Sequence, residues 1–124
     1  MKKIYTKNAP EAIGPYSQAI KIGDFIYTSG QIALTKDGEF LDSDVKTQTK
    51  QVCENLKAVL EASGANLEDV IKTTIFLDDI NNFNEVNEVY KEYFKHKPAR
   101  STVAVKELPK GAKVEIECIA YLNS

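Results

Sequence analysis

The chain has 124 residues and a formal net charge of −2 at pH 7, with 43% apolar and 27% charged residues, proportions typical of globular proteins. Charges of both signs are interspersed, which disfavours nucleic acid or an anionic membrane as a partner. No apolar run reaches the ~18 residues of a membrane-spanning helix and no signal-peptide pattern is present, so we expect a single cytoplasmic domain over residues 1–124.

The first part of the chain predicts short strands. Residues 3–6, 16–22 and 24–29 are rich in β-branched and aromatic residues, and glycines and prolines separate these segments. Gly23 and Asp24 are typical of a tight turn, so we expect strands linked as hairpins here.

Two amphipathic helices follow, with a strand between them. The first is predicted between Asp44, a favourable N-cap, and Gly64, a favourable residue just past a helix end. The second covers about residues 82–95, where Asn82 and Glu85 resemble a capping box. Apolar residues at helical spacing give each segment one face to bury.

Three further strands are predicted from apolar runs and alternation. Residues 70–77 form a strand between the helices, with apolar residues on both faces. Residues 101–107 and 114–122 form a hairpin around the turn residues 108–111. The sequence therefore predicts an α+β fold, in which a mixed sheet carries the two helices on one face.

The second face of this sheet bears on assembly. Two helices cover one face of a sheet, and an apolar second face must be buried against something else. Because no third helix is available, another copy of the same chain is the simplest partner, and we expect an oligomer. The alternative is that the apolar residues are scattered over a solvated face and need no partner.

Several common types of active site lack the residues they need. His96 is the only histidine and is expected to complement the terminal carbonyls of the second helix, so no Ser-His-Asp, Cys-His or zinc site can be assembled. Cys53 and Cys118 lie at apolar positions, which predicts buried, reduced thiols. No glycine-rich phosphate-binding motif is present.

The remaining candidates are one arginine and two glutamates. Arg100 is the only arginine and precedes an alternating strand, where its planar guanidinium could anchor the carboxylate of a small organic acid. The alternative is a surface ion pair with Glu85 or Glu88. Glu115 and Glu117 share a face of the last strand, which we expect to pair with the strand after Arg100. Either carboxylate could orient and deprotonate a water, and the pattern does not choose between them.

Five segments carry a resemblance to a known family. They read IGPYSQA (13–19), TSGQIAL (28–34), EVNEVYKEYF (85–94), KPARSTVAV (97–105) and LPKGAKVEIECIA (108–120). In order and spacing, over almost the whole chain, they resemble the YjgF/YER057c/UK114 family, usually called the Rid family. The most specific part is the arginine strand followed by the V-E-I-E strand. The resemblance implies a fold like that of chorismate mutase, assembled as a homotrimer with its sites between subunits.

The resemblance also implies an activity. Members with the arginine form the branch of 2-iminobutanoate/2-iminopropanoate deaminases, which hydrolyse reactive 2-imino acids to 2-oxo acids and ammonia and need no cofactor or metal. Here Arg100 would hold the substrate carboxylate, and Glu115 rather than Glu117 would handle the water. Further pocket residues would be Tyr16, Ser29, the backbone of Gly30, and Asn87. Many members have cysteine where this chain has Thr102, a small hydrogen-bonding residue, so deaminase activity is expected while substrate preference stays open.

A second class of function is that of an interaction protein. Members of the family have also been described as translation inhibitors with ribonuclease activity, as protein-binding regulators and as chaperones. The charge balance and the lone His96 give little support to a ribonuclease, whereas a protein-binding regulator stays open. The pair Arg100 and Glu115 favours the enzyme, because a scaffold needs neither a carboxylate anchor nor a group that handles water.

Overall fold

The computed structural model describes residues 1–122. These residues form six strands: β1 (Lys2–Ile4), β2 (Ala19–Ile22), β3 (Phe25–Thr28), β4 (Val70–Leu77), β5 (Ala99–Ala104) and β6 (Val114–Tyr121). They also form two α-helices, α1 (Val45–Ala62) and α2 (Phe83–Tyr93), and single 3₁₀ turns at Leu67–Asp69, Ile80–Asn82 and Pro109–Gly111. Neither α-helix in this part of the chain is long and apolar enough to cross a membrane.

The strands form one mixed sheet in the order β1-β2-β3-β6-β4-β5. Neighbouring strands are antiparallel except β4 and β5, which are parallel and are joined by α2. A parallel pair needs such a crossover, because the chain must return to the same end of the sheet. The predicted α+β class, with one sheet and two helices, is confirmed.

The predicted hairpin of the last two strands is wrong. β6 lies between β3 and β4 and pairs with both, whereas β5 pairs with β4 and forms an edge of the sheet. The physical reason is burial. Alternate residues of β6 from Val114 to Ala120 are buried, whereas β5 has no fully buried residue. The strand with more apolar surface to bury takes the central position.

The helix ends test the predicted capping signals. Asp44 is the N-cap of α1, and its carboxylate accepts a hydrogen bond from the backbone N–H of Thr47 at 2.7 Å. Gly64 follows the end of α1 with a φ of 86°, a conformation that favours glycine. The predicted capping box of α2 is wrong, because the Asn82 side chain makes no capping hydrogen bond and the turn Ile80–Asn82 leads directly into the helix.

The core lies between the helices and one face of the sheet. Its fully buried side chains include Val52, Leu56 and Leu60 from α1 and Ile26, Ile75 and Ile116 from the strands. α2 adds Val86 and Tyr90 to the same core. The two helices therefore bury a single face of the sheet, as the sequence predicts.

The opposite face of the sheet carries a group of apolar side chains together with Lys72, Glu115 and Glu117, and neither helix covers it within residues 1–122. The register places Phe25 beside Tyr121 and Tyr27 beside Ile119. Tyr27 is 45% exposed and Val103 is 44% exposed. We call this surface the open face, and it comprises Ile20, Ile22, Phe25, Tyr27, Phe76, Val103, Ile119 and Tyr121.

Candidate active site

Arg100 lies on β5 and packs against α2. Its Nη1 donates a hydrogen bond to Oδ1 of Asn87 at 2.7 Å. The guanidinium carbon lies 5.1 Å from the ring centroid of Tyr90 and 5.4 Å from that of Phe83. Four and then three positions separate these helix residues, so they share one face of α2. The half-buried guanidinium lines a cavity of about 340 Å³, which we call the arginine pocket.

No carboxylate pairs with Arg100 among the described residues. Glu88 pairs instead with Lys46, at 2.7 Å between the ammonium nitrogen and a carboxylate oxygen. The surface ion pair considered for Arg100 is therefore not formed. Asn87 accepts a hydrogen bond from Nη1 only, so the other N–H groups of the guanidinium can donate to a ligand.

Thr102 lies two residues along β5 from Arg100 and shares its face of the sheet. The Thr102 hydroxyl oxygen is buried and has no hydrogen-bond partner within residues 1–122. A buried hydroxyl without a partner destabilises a protein by about 1–3 kcal/mol. A ligand atom or a neighbouring chain could satisfy it.

Glu115 lies on β6 and packs against Gly30. A Cβ atom at position 30 would come within 2.9 Å of Cδ of Glu115 and closer still to one carboxylate oxygen, so glycine alone fits beside this side chain as it lies. Gly30 is held there because the next residue, Gln31, exchanges two backbone hydrogen bonds with Ile116, at 2.9 and 3.1 Å. Burial raises the pKa of the Glu115 carboxyl above its usual range, and the charge of Glu117 raises that pKa further.

A second cavity, of about 300 Å³, brings Glu115 and Gly30 together with Tyr16, and we call it the glutamate pocket. Tyr16 is 55% exposed and contributes to the wall of this cavity. The other walls are largely apolar and include Pro10, Ile13, Ile32, Leu34 and Pro109. The predicted residues Tyr16, Gly30 and Glu115 thus lie around one cavity.

Ser29 lies beside the glutamate pocket without lining it. Its hydroxyl donates a hydrogen bond to the carbonyl oxygen of Ser17 at 2.5 Å. Gln18, which follows Ser17 in the chain, is buried. Its Nε2 donates a hydrogen bond to the carbonyl oxygen of Pro10 at 2.8 Å, and its Oε1 accepts one from the backbone N–H of Thr6 at 2.7 Å. Ser29 and Gln18 therefore fix the loop that forms one wall of the pocket.

The two pockets lie on opposite faces of the sheet. On β4, Thr73 is the register partner of Arg100 and Phe76 is the register partner of Glu115. Positions 73 and 76 differ by an odd number, so their side chains point to opposite faces. The expectation that the strands of Arg100 and Glu115 pair is wrong, because β4 lies between them. Within one chain, Arg100 with Asn87 and Thr102 does not meet Glu115.

Comparison with known proteins decides the family. A family model described as endoribonuclease L-PSP, which is the YjgF/UK114 or Rid family, matches residues 6–122. The chain belongs to the Rid family. A RutC family protein of Pyrococcus horikoshii is 57% identical over 120 residues, 95% of each chain. A human protein named 2-iminobutanoate/2-iminopropanoate deaminase is 47% identical over 119 residues, which cover 94% of this chain and 87% of the human one.

The likeness of this Rid protein extends to solved structures. The crystal structure of E. coli TdcF with bound serine is 44% identical in sequence, with a TM-score of 0.95. The match covers 99% of this chain and 100% of the TdcF chain. The family resemblance predicted from five short segments is confirmed.

The histidine and both cysteines of this Rid protein lie outside the two pockets. His96 donates a hydrogen bond from Nε2 to the carbonyl oxygen of Val70 at 2.8 Å, so the expectation that it complements the last carbonyls of α2 is wrong. Cys53 and Cys118 are free and buried, as predicted, and burial raises the pKa of both thiols, that of Cys118 to about 12. Within residues 1–122, no group of three or more His, Cys, Asp or Glu residues could hold a metal ion.

The sequence does not reveal Phe83 and Tyr90 as neighbours of Arg100. Both belong to the apolar face of the second helix and resemble core residues. Their spacing from Asn87, four positions before and three after, is the available signal, because it places all three on one helix face. Gln18 is also missed, since a buried glutamine that fixes a loop leaves no pattern in the sequence.

Proposed function

We propose that this Rid protein hydrolyses small reactive 2-imino acids, such as 2-iminobutanoate and 2-iminopropanoate, to 2-oxo acids and ammonia. The observation that carries the proposal is the guanidinium of Arg100, which two aromatic rings and Asn87 fix in place without a carboxylate partner among the described residues. Lys91 and Lys97 line the same pocket, and no described acidic side chain does. Such a guanidinium binds a carboxylate through two parallel hydrogen bonds.

The comparisons support the same substrate class. The human relative is named for this deaminase activity, and the structure of E. coli TdcF holds serine, a small amino acid that carries a carboxylate. The relative from Pyrococcus horikoshii is named only as a RutC family protein. The activity of this chain is therefore a proposal that rests on the arginine pocket and on these relatives.

The reaction needs positioning and proton transfer, and it starts from the imine protonated on nitrogen. Arg100 holds the substrate carboxylate while Glu115 takes a proton from a water; the water oxygen bonds to C2, and the π electron pair of the C=N bond moves to nitrogen, which becomes a neutral amine. Glu115 then returns this proton to the nitrogen. The C–N bond breaks, the hydroxyl on C2 loses its proton to solvent, and the 2-oxo acid and ammonia leave. A raised pKa of Glu115 suits it to both steps, because the same carboxyl must accept and release a proton.

We further propose that a complete site forms between two copies of the chain, in a homotrimer. A small ligand that contacts both Arg100 and Glu115 needs two chains, since the two side chains lie on opposite faces of one sheet. The open face gives such copies an apolar surface to bury, at roughly 25 cal/mol for each Å². Ile13 is 80% exposed and Tyr16 is 55% exposed at the glutamate pocket, and both would gain a partner in the same contact.

A coupled assay tests the proposed activity. A threonine dehydratase or an amino-acid oxidase generates the imine, and release of the 2-oxo acid is followed with and without this protein. Arg100→Ala should lower kcat/KM roughly 100-fold, because it removes a charged pair of hydrogen bonds. Lys95→Ala is the control, since Lys95 is exposed and lies outside the arginine pocket. If folded wild-type protein accelerates the hydrolysis of none of several imino acids, the deaminase is rejected in favour of a protein-binding regulator.

A further inference from the structure

Tyr90 lines the arginine pocket, and its side chain is fixed at both ends. Its hydroxyl lies 2.7 Å from the hydroxyl oxygen of Thr73, and the two residues are only 6% and 1% exposed. The Tyr90 ring stacks on Phe94, with 4.5 Å between the ring centroids and 23° between the planes. A hydrogen bond at one end and a stacked ring thus hold the Tyr90 side chain in one orientation.

This fixed ring also contacts the substrate anchor. The guanidinium carbon of Arg100 lies 5.1 Å from the Tyr90 centroid, within the range of a cation–π interaction. Thr73 is the register partner of Arg100 on the neighbouring strand, so the residue that fixes the ring also lies beside the arginine in the sheet. The strand that fixes the hydroxyl end of the ring, β4, is therefore also the strand that pairs with the one carrying Arg100.

We propose that the Thr73–Tyr90 pair is a positioning device that orients the guanidinium of Arg100 for binding a carboxylate. Asn87 fixes one end of the guanidinium through Nη1, and the Tyr90 and Phe83 rings fix its plane. With the plane fixed, the unoccupied N–H groups keep a constant direction, and less rotamer freedom is lost when a ligand binds. In this role Tyr90, which lines the pocket, and Thr73 act through the orientation of Arg100.

The inference rests on the proposed function only for the identity of the ligand. The orientation of the guanidinium is a property of the protein alone and can be measured without turnover. The chain has one arginine, so nitrogen-15-labelled protein gives a single Nε–Hε NMR signal, which is assigned by its loss in Arg100→Lys. Aromatic rings displace this signal from its position in a free arginine, and the displacement reports how the guanidinium lies on them.

The experiment compares Thr73→Val, Tyr90→Phe and the double variant with wild type. All three should move the Arg100 signal toward that of free arginine and raise the KM for 2-iminobutanoate about three- to tenfold, with kcat within about twofold. Each single variant leaves a buried hydroxyl unpaired, and the double variant does not, so the double variant should recover thermal stability without recovering KM. Tyr93→Phe is the matched control. Tyr93 lies on α2, as Tyr90 does, and its hydroxyl donates a hydrogen bond to Glu54 of α1 at 2.7 Å. Removing that hydroxyl should change neither the Arg100 signal nor the KM.

Two results would overturn the inference. If the double variant regains both the wild-type signal and the wild-type KM, the pair serves stability alone. If Tyr93→Phe shifts both readouts equally, the effect belongs to α2 as a whole. If wild-type protein hydrolyses none of the imino acids, the proposed function fails, while the Arg100 signal still decides whether the pair orients the guanidinium.

Discussion

Burial beside Gly30 raises the pKa of the Glu115 carboxyl, and Glu117, on the same face of β6, raises it further through its charge. This shift has a consequence for stability. The folded-state pKa lies above the unfolded one, so the stabilising contribution of the neutral carboxyl is present below the unfolded pKa and is lost as the pH rises through the folded pKa. Folding thus favours the neutral form of Glu115, whereas the proposed reaction needs its carboxylate.

The pH dependence of the proposed reaction should reveal this carboxyl. We expect kcat/KM to rise with pH as Glu115 loses its proton. Glu117→Gln removes the neighbouring negative charge, lowers the pKa of Glu115 and should move the acid limb to lower pH, whereas Glu115→Gln should abolish activity throughout. Steady-state kcat/KM between about pH 4 and 8 measures both effects. An acid limb that stays in place in Glu117→Gln would exclude Glu115 as the titrating group.

Gly30→Ala should damage activity more than folding. The new Cβ would contact the Glu115 carboxylate, whose flexible side chain must move away, so we expect kcat/KM to fall at least about tenfold with little change in Tm. Gly64→Ala should instead lower Tm and leave kcat/KM unchanged, because a φ of 86° is strained for alanine and residue 64 lies outside both pockets. Thermal unfolding and kinetics of the two variants separate the effects. Equal activity of Gly30→Ala and wild type would contradict the placement of Glu115.

At the level of elements, α1 fixes the start of β6 through one buried side chain. Gln48 accepts a hydrogen bond from the backbone N–H of Lys113 at 2.9 Å and donates one to the carbonyl oxygen of Leu41 at 3.0 Å. Lys113 directly precedes β6 and lies two residues before Glu115. The helix therefore sets the position of the strand that carries the candidate catalytic carboxylate.

Gln48→Leu should destabilise the fold through this contact. It leaves the Lys113 N–H and the Leu41 carbonyl unpaired, and we expect the free energy of unfolding to fall by about 2–4 kcal/mol. Lys50→Leu is the control on the same helix, since Lys50 is exposed. Urea denaturation of both variants gives the difference. A similar loss in the two variants would show that Gln48 has no special role.

The elements could be predicted from the sequence because their signals are local. Asp44 and Gly64 delimit α1, and alternation delimits β6. The order of the strands could not be predicted this way. Whether β6 pairs with β5 or enters between β3 and β4 depends on total burial in the sheet, and the turn residues at 108–111 are compatible with both arrangements.

At the level of the whole molecule, the open face and the separated pockets belong together. The motifs that carry the family resemblance predict Arg100 and Glu115 as members of one site, and in a single chain the two residues line two different cavities. They do not reveal that the two side chains lie on opposite faces, since that depends on which strand separates β5 from β6. Assembly of the proposed homotrimer would bury the open face and would also bring the arginine pocket of one chain against the glutamate pocket of another.

Mixing two impaired variants tests the shared site. Alone, Arg100→Ala should keep about a hundredth of the wild-type kcat/KM and Glu115→Gln should be inactive. When they are refolded together, about a quarter of the sites should combine an intact Arg100 from one chain with an intact Glu115 from another, because the chains assemble at random. The measurement is kcat per total chain, and Arg100→Ala refolded with the double variant is the control, since neither supplies the arginine. Inactive mixed assemblies would show that the site is not shared.

The placement of sulfur in this molecule has a further consequence. Both thiols lie inside the core with raised pKa values, and position 102 carries a hydroxyl. The groups proposed for binding and proton transfer are a guanidinium, an amide, a hydroxyl and a carboxylate, none of which peroxide or an alkylating reagent readily converts. We therefore expect the proposed activity to persist under oxidising conditions that inactivate enzymes with a catalytic thiolate.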